Sequence, residues 1–197
     1  MSNTQEIDDR KGDAFLAIMM NAIRLQRDAS LLLDAERWAS AIALAVLSLE
    51  EVGKLLMLGE EGPDAAKLVK LLADHGEKRK MVGEQIRAEV QIDAVAVLFE
   101  DIIARDPAAE GVPLDEIDAY IAAKSATDRR ARFVMVLRAA KPDPKNEALY
   151  VDVDHKGTWA IRSTPETATE ETARDWVQWA QDAINIGTPT GNYYLGE

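Results

Sequence analysis

The sequence has 197 residues, of which 47% are hydrophobic, so it can form a sizeable core and is not globally disordered. Asp and Glu (35) outnumber Lys and Arg (23), for a net charge of −12. This charge excludes a general coat for nucleic acids, because such binding needs cations that neutralise phosphates. The absence of cysteine excludes disulfide frameworks, thiolate zinc sites, iron–sulfur clusters and a cysteine nucleophile.

The first part of the chain has the pattern of two helices. From 12 to 35, apolar residues recur at three-and-four spacing, which is typical of an amphipathic helix. A tight corner over 34–37 leads into a second helix over 38–58, which is apolar nearly all round and rich in small residues. A helix that is apolar on every side is normally packed by neighbours on several faces. We therefore predict that the second helix is the central one.

Two longer helices are predicted to follow. A third helix is expected over 63–105, because proline suits the first helical position, with a kink near Gly76 or Gly83. A fourth helix is expected over 113–140, with an interruption near 125–128 and with prolines beyond its end.

The composition changes after residue 140. Short β-favouring runs around a turn sequence predict a small β-hairpin over about 147–163. The Thr167 to Glu170 spacing of a capping box predicts a last helix over about 168–186, and the tail 187–197 is expected to be loose. These elements predict an all-α bundle of about five helices with a hairpin before the last helix, in a single domain over 1–197 whose core bundle spans about 12–140.

No targeting or membrane-spanning segment is expected. Residues 1–13 are polar and mostly acidic, unlike a secretory signal. The longest charge-free apolar run, 38–49, has twelve residues, whereas a bilayer-spanning helix needs about 20. We therefore expect a cytoplasmic protein with no membrane partner.

A charged turn interrupts the apolar second helix at Glu50, Glu51 and Lys54. Glu50 and Lys54 are four apart, so they share a helix face. One interpretation is an ion pair within the helix at the rim of the bundle, which contributes about 0.3 to 0.5 kcal/mol. The other is a partly buried set of acids and a base, whose shifted pKa values prepare it for proton transfer or for phosphate binding.

His75 is one of only two histidines, and it continues an apolar stripe on the predicted third helix. A histidine on such a stripe is more often a hydrogen-bonded core residue than a base. However, Lys78 shares its face, and an antiparallel third helix would bring both beside the Glu50 to Lys54 turn. A metal site built from these acids and His75 is a weak candidate, so we expect neither a metal nor a cofactor.

Basic residues form two short groups in this acidic chain. If nucleic acid binds, we expect it at these positions, because phosphates require cations. The nucleic-acid-binding candidates are Arg79, Lys80, Arg129, Arg130 and Arg132. The chain has no phosphate-binding glycine-rich loop, no HExxH motif, no Gly-x-Ser-x-Gly elbow and no Glu-x-x-His pair.

Four motifs together carry a resemblance to a known family. They are Asn21-Ala22-x-x-Leu25-x-x-Asp28-Ala29-x-x-Leu32, then Glu50-Glu51-Val52-Gly53-Lys54 after an alanine-rich helix, then His75-x-x-Lys78, and finally Ala148-Leu149-Tyr150-Val151-Asp152. In this combination the sequence resembles the AbiV family of bacterial abortive infection proteins, a branch of the HEPN helical superfamily. The resemblance covers most of the chain.

The resemblance implies an all-helical HEPN-type bundle, commonly a homodimer, that defends against phage by shutting down translation. Many HEPN proteins are metal-independent ribonucleases that use an Arg-x4-6-His motif in two copies meeting across a dimer. Here the only similar arrangement is Lys70 to His75, with Lys in place of Arg. The family's characteristic polar set falls on Glu50, Glu51, Lys54, His75 and Lys78.

Two functional hypotheses follow from this set. In a toxin-like ribonuclease, His75 would be the general acid or base, Lys54 and Lys78 would stabilise the phosphorane charge, and Glu50 or Glu51 would orient them. In a noncatalytic interaction module, the same cluster would only hold the helices in register. Such a module would bind a phage protein or a protein of the translation machinery.

Overall fold

The computed structural model describes residues 3–59, 70, 72–106, 110–139, 145, 152–153, 161–163 and 165–187. Most of these residues are helical, which confirms the predicted all-α class. The described α-helices are α1 (Asn3–Asp34), α2 (Trp38–Gly59), α3 (His75–Arg105), α4 (Leu114–Lys124), α5 (Arg129–Ala139) and α6 (Glu170–Gly187). Within these ranges, no helix is both long enough and apolar enough to span a bilayer.

The predicted corner between the first two helices is confirmed. The N–H of Glu36 donates to the carbonyl of Leu33 (3.0 Å), and the N–H of Arg37 donates to the carbonyl of Leu32 (2.8 Å). Glu36 has a φ of 58°, the left-handed conformation that this type of helix end requires. The chain therefore reverses direction within a few residues, and α2 folds back against α1.

Helix α2 is the central helix, as its sequence predicts. It packs against both α1 and α6, which also contact each other. Small side chains let the three backbones approach closely, since Ala22, Ala29, Ala45 and Ala180 are fully buried. The hydroxyl of Ser48 donates to the carbonyl of Ala22 (2.8 Å) and so satisfies a polar group inside this interface.

The predicted third helix is interrupted close to Gly76. Residues 60–69 lie outside the described residues, and Asp74 is not helical. One carboxylate oxygen of Asp74 accepts from the N–H groups of Gly76 (2.8 Å) and Glu77 (3.1 Å). This N-cap ends any helix before it and begins α3 at His75. The structure therefore has a capped helix start next to Gly76, where the sequence predicts a kink.

The chain divides into two compact units. The first comprises Met1–Val82 and Lys141–Glu197, and the second comprises Gly83–Ala140. The single domain over 1–197 stays a prediction.

The second unit contains the later part of α3 together with α4 and α5. The break between α4 and α5 confirms the predicted interruption at 125–128. The cause is Asp128, whose carboxylate accepts from the N–H groups of Arg130 (2.8 Å) and Ala131 (3.0 Å) and caps α5. The core of this unit includes the buried side chains of Ile121 and Phe133.

Two short strands lie in the region of the predicted hairpin. β1 (Asp152–Val153) pairs antiparallel with β2 (Ile161–Ser163), with an irregular register. The rest of that region, including its turn at 154–160, lies outside the described residues, as does the tail 188–197.

Helix α6 begins later than the predicted capping box implies. Thr167 lies in a 3-10 turn, and the hydroxyl of Thr169 accepts from the N–H of Thr172 (3.2 Å). Thr169 is therefore the N-cap of α6, two residues beyond Thr167. The helix itself lies where the sequence predicts it.

Candidate functional site

A close approach between α2 and α3 positions the candidate site. A Cβ atom added at Gly53 would lie 2.7 Å from the carbonyl carbon of Lys78 and 2.9 Å from its Cα. No ordinary side chain fits this gap, so the glycine lets the first turns of α3 rest directly on α2. The approach brings Glu50, on α2, beside His75 and Arg79, on α3.

Glu50 is the centre of the site. Its side chain is only 3% exposed, and its Oε1 accepts from a guanidinium nitrogen of Arg79 at 2.8 Å. Its Oε2 lies 2.5 Å from Nδ1 of His75 and 3.7 Å from Nζ of Lys145. A buried carboxylate needs compensating charges and hydrogen bonds, and these three basic side chains supply them.

His75 differs from Glu50 because its side chain is 53% exposed. An ionised carboxylate has no proton to donate, so Nδ1 of His75 donates to Glu50. In the neutral ring, Nε2 is then the acceptor. A half-exposed imidazole that is oriented by a buried acid is the arrangement of a general base.

Lys78 is buried beside this pair, with 3% of its surface exposed. Burial lowers the pKa of Lys78 below its ordinary value of 10.5, and the charges of Lys54 and Lys145 act in the same direction. The carboxylates of Glu50 and Glu51 oppose this shift. Lys78 therefore lies within the electrostatic reach of both acids, Glu50 and Glu51, and of two lysines of the cluster, Lys54 and Lys145.

The ion pair within α2 is formed by different residues from the predicted ones. Lys54 donates to Glu51 at 2.6 Å, and these side chains are 27% and 16% exposed. Glu50 instead faces α3. The interpretation as an ion pair at the rim thus fits Glu51 with Lys54, whereas the interpretation as a buried acid fits Glu50.

The two residues of the first predicted basic group, Arg79 and Lys80, lie in different surroundings. The side chain of Arg79 is 16% exposed and bound to Glu50, so it belongs to the buried cluster. The side chain of Lys80 is 60% exposed, and its Nζ lies 3.8 Å from Glu77. Of these two, Lys80 is the cation that faces solvent.

The second basic group lies in the second unit, at the start of α5. Arg130 lies 2.5 Å from Glu89, and Nε of Arg132 donates to the carbonyl of Ser125 (3.3 Å). Arg129 is exposed. Three arginines therefore lie close together at the start of α5, and Arg130 forms an ion pair with Glu89.

Sequence reasoning assigned Arg79 to a basic patch and missed Lys145 altogether. A signal for Arg79 did exist, because it follows His75 by four residues and so shares its helix face. Nothing around Lys145 indicates a contact with Glu50. In the described ranges, no three His, Asp or Glu side chains come together as metal ligands would.

Comparison with known proteins identifies the family. The HEPN_AbiV family model, described as AbiV, matches residues 13–185. This match spans most of the chain, so the protein belongs to the HEPN_AbiV family, as its motifs predict. No curated protein and no solved structure matches the chain. Membership of this family points to abortive infection, a form of phage defence.

Proposed function

We propose, from the membership of the chain in the HEPN_AbiV family, that the protein arrests translation during phage infection as a cytoplasmic ribonuclease. The observation that carries this proposal is the half-exposed ring of His75, held 2.5 Å from the buried carboxylate of Glu50. Buried acids that orient an accessible imidazole are suited to proton transfer near neutral pH.

The chemistry requires proton transfer at a ribose and stabilisation of charge at a phosphate. Nε2 of His75 takes the proton of a 2′-hydroxyl, whose oxygen attacks the adjacent phosphorus. The 5′-oxygen of the next nucleotide leaves and takes a proton from water. The products are a 2′,3′-cyclic phosphate and a 5′-hydroxyl. Lys54, which is partly exposed, stabilises the phosphorane charge.

The remaining members of the polar set act through these two groups. Glu50 orients His75, and Glu51 orients Lys54. Lys78 is too buried to touch a phosphate and contributes its charge at the base of the cluster. Lys80, Arg129, Arg130 and Arg132 are the proposed contacts to RNA phosphates, whereas Arg79 holds Glu50. We also propose a homodimer, which light scattering would detect as twice the mass of one chain.

A second candidate function is a noncatalytic module that binds a phage protein or a protein of the translation machinery. It is favoured by the burial of Glu50 and Lys78 beside the close backbone contact at Gly53. Charged groups that are this deeply buried often fix how two helices pack. In this case the cluster is a structural element, and translation stops through contact.

Two substitutions of His75 separate the two functions. His75→Asn keeps a donor for Glu50 but cannot act as a base, whereas His75→Ala removes both properties. For a ribonuclease, both variants should abolish growth arrest and RNA fragmentation when expressed in bacteria, while the Asn variant keeps the melting temperature of the wild type. His155→Ala, at the other histidine, is the control.

The binding module gives the opposite pattern. The Asn variant would then still arrest growth, RNA would stay intact in every strain, and only the Ala variant would lose stability. With purified protein and end-labelled RNA, the ribonuclease should leave 2′,3′-cyclic phosphate ends. Intact RNA from the wild type, together with arrest by the Asn variant, would refute the catalytic proposal.

A further inference from the structure

The outer side of α3 in the second unit carries large apolar side chains in solvent. Ile92 is 68% exposed, Val95 37% and Phe99 44%. Their spacing of three and four residues places them on one narrow face of the helix. Val90 and Ala94, on the other side of α3, are buried. This part of α3 is therefore apolar on two sides; the side of Ile92 faces solvent, and on the side of Val90 and Ala94 only Val97 is exposed, at 52%.

Single exposed apolar residues are common on protein surfaces and need no explanation. A continuous stripe on one helix face is different, because such patches mark sites of interaction. Positions i, i+3 and i+7 are also the anchors through which two amphipathic helices pack together. The pattern of Ile92, Val95 and Phe99 thus matches a surface that receives another helix.

Acidic side chains border this stripe on one edge. Asp93 and Glu100 are seven residues apart, so they lie on the same edge, and both are exposed. Neither has an ion-pair partner among the residues that the structure describes. Other acids of the second unit do face cations, as Glu89 does with Arg130 (2.5 Å) and Glu116 with Arg105 (2.9 Å). The edge of the stripe therefore presents exposed negative charge, and Asp93 also lines a small cavity with Lys124 and Arg130.

We propose that the α3 outer face, defined as Ile92, Asp93, Val95, Phe99 and Glu100, binds a basic amphipathic helix of a partner protein. Apolar side chains of the partner would cover the stripe, and its Lys or Arg residues would meet the two acids. The net charge of −12 favours a cationic partner over a second copy, which carries the same acidic edge. None of the proposed catalytic residues lies in this unit, so the inference does not depend on the ribonuclease.

Two synthetic helical peptides test the proposal with the full-length protein. Both have the same leucine pattern, and their polar positions are all Lys in one and all Glu in the other. Fluorescence anisotropy should show that the Leu–Lys peptide binds at least about tenfold more tightly than the Leu–Glu peptide. The pair Ile92→Ser and Phe99→Ser should weaken binding by about tenfold or more. The pair Asp93→Asn and Glu100→Gln should weaken it severalfold and reduce its salt dependence.

Matched control variants use exposed residues of α1. One control pair, Leu16→Ser with Met20→Ser, removes exposed apolar surface. The other, Asp13→Asn with Asp34→Asn, removes exposed charge. Neither pair should change the affinity for the Leu–Lys peptide. All of these side chains are exposed, so the variants should keep the circular dichroism of the wild type.

Three outcomes would overturn the proposal. They are equal losses in the α1 controls, equal binding of both peptides, or a doubled mass in light scattering that Ile92→Ser with Phe99→Ser reverts. The last outcome would assign the face to a second copy. RNA cleavage is measured on the same variants and should be unchanged in all of them, so failure here is distinguishable from failure of the ribonuclease.

Discussion

Replacing Gly53 by alanine tests whether the α2–α3 contact holds the site together. The added Cβ would lie 2.7 Å from the carbonyl carbon of Lys78, whereas non-bonded carbons rest about 3.5–4 Å apart. The neighbouring atoms belong to the backbone of α3, so no side-chain rotation relieves the clash. The two helices must separate by about 1 Å.

The cost follows from two opposing effects. Overpacking against a rigid neighbour costs about 1–3 kcal/mol, and the backbone contact favours the upper end of this range. Alanine recovers about 1 kcal/mol of helix propensity over glycine. We therefore expect Gly53→Ala to lower the free energy of unfolding by about 1–2 kcal/mol, although the same substitution normally stabilises a helix.

Gly12→Ala is the matched control, because Gly12 also lies within a helix and has open space around it. It should be neutral or stabilising by up to about 1 kcal/mol. Thermal unfolding should therefore place Gly53→Ala about 5–10 °C below the control, at roughly 2–4 °C per kcal/mol for a chain of this size. An unfolding temperature for Gly53→Ala equal to that of the control would show that α3 does not rest on α2 as described.

Two further predictions concern the charged cluster. Glu50→Gln should lower the free energy of unfolding by about 3 kcal/mol, because it leaves Arg79 and Lys78 without their buried counter-ion. Glu51→Gln, at the more exposed ion pair, should lower it by less than about 1 kcal/mol. Urea unfolding measures both free energies. Because the folded-state pKa of Lys78 lies below 10.5, the unfolded chain binds that proton more tightly, so stability rises as pH increases through the folded pKa toward 10.5. Lys78→Met should lack this rise and Lys80→Met, at an exposed position, should keep it; identical pH profiles for wild type and Lys78→Met would contradict the assignment.

Local sequence signals predicted most of the helical framework. The periodicity of α1 and the all-round apolar character of α2 are properties of short windows, so they are readable without neighbours. The break at Asp74 was predicted only as a kink near Gly76, because the capping effect of Asp74 competes with the continuing helical pattern around it. The start of α6 was misplaced for a related reason, since two threonines, Thr167 and Thr169, stand close to its first turn.

The members of the candidate site were predicted in part, and the pairing of its charges was not. The family motifs identified Glu50, His75 and Lys78 as a set, and the structure brings all three together. The sequence paired Glu50 with Lys54, because residues four apart on a helix are neighbours. Instead, Glu50 faces α3, where a histidine and an arginine compete for it, and Lys54 turns to Glu51.

The sequence by itself therefore determined the helical class, the central position of α2, the family and part of the charged cluster. These follow from periodicity, composition and motifs, which are carried by residues close together in the chain. Only the tertiary structure decided which acid is buried, which cations neutralise it and which face of α3 remains in solvent. The physical reason is that burial and charge pairing depend on the distance between helices, and at Gly53 that distance is set by the absence of a side chain.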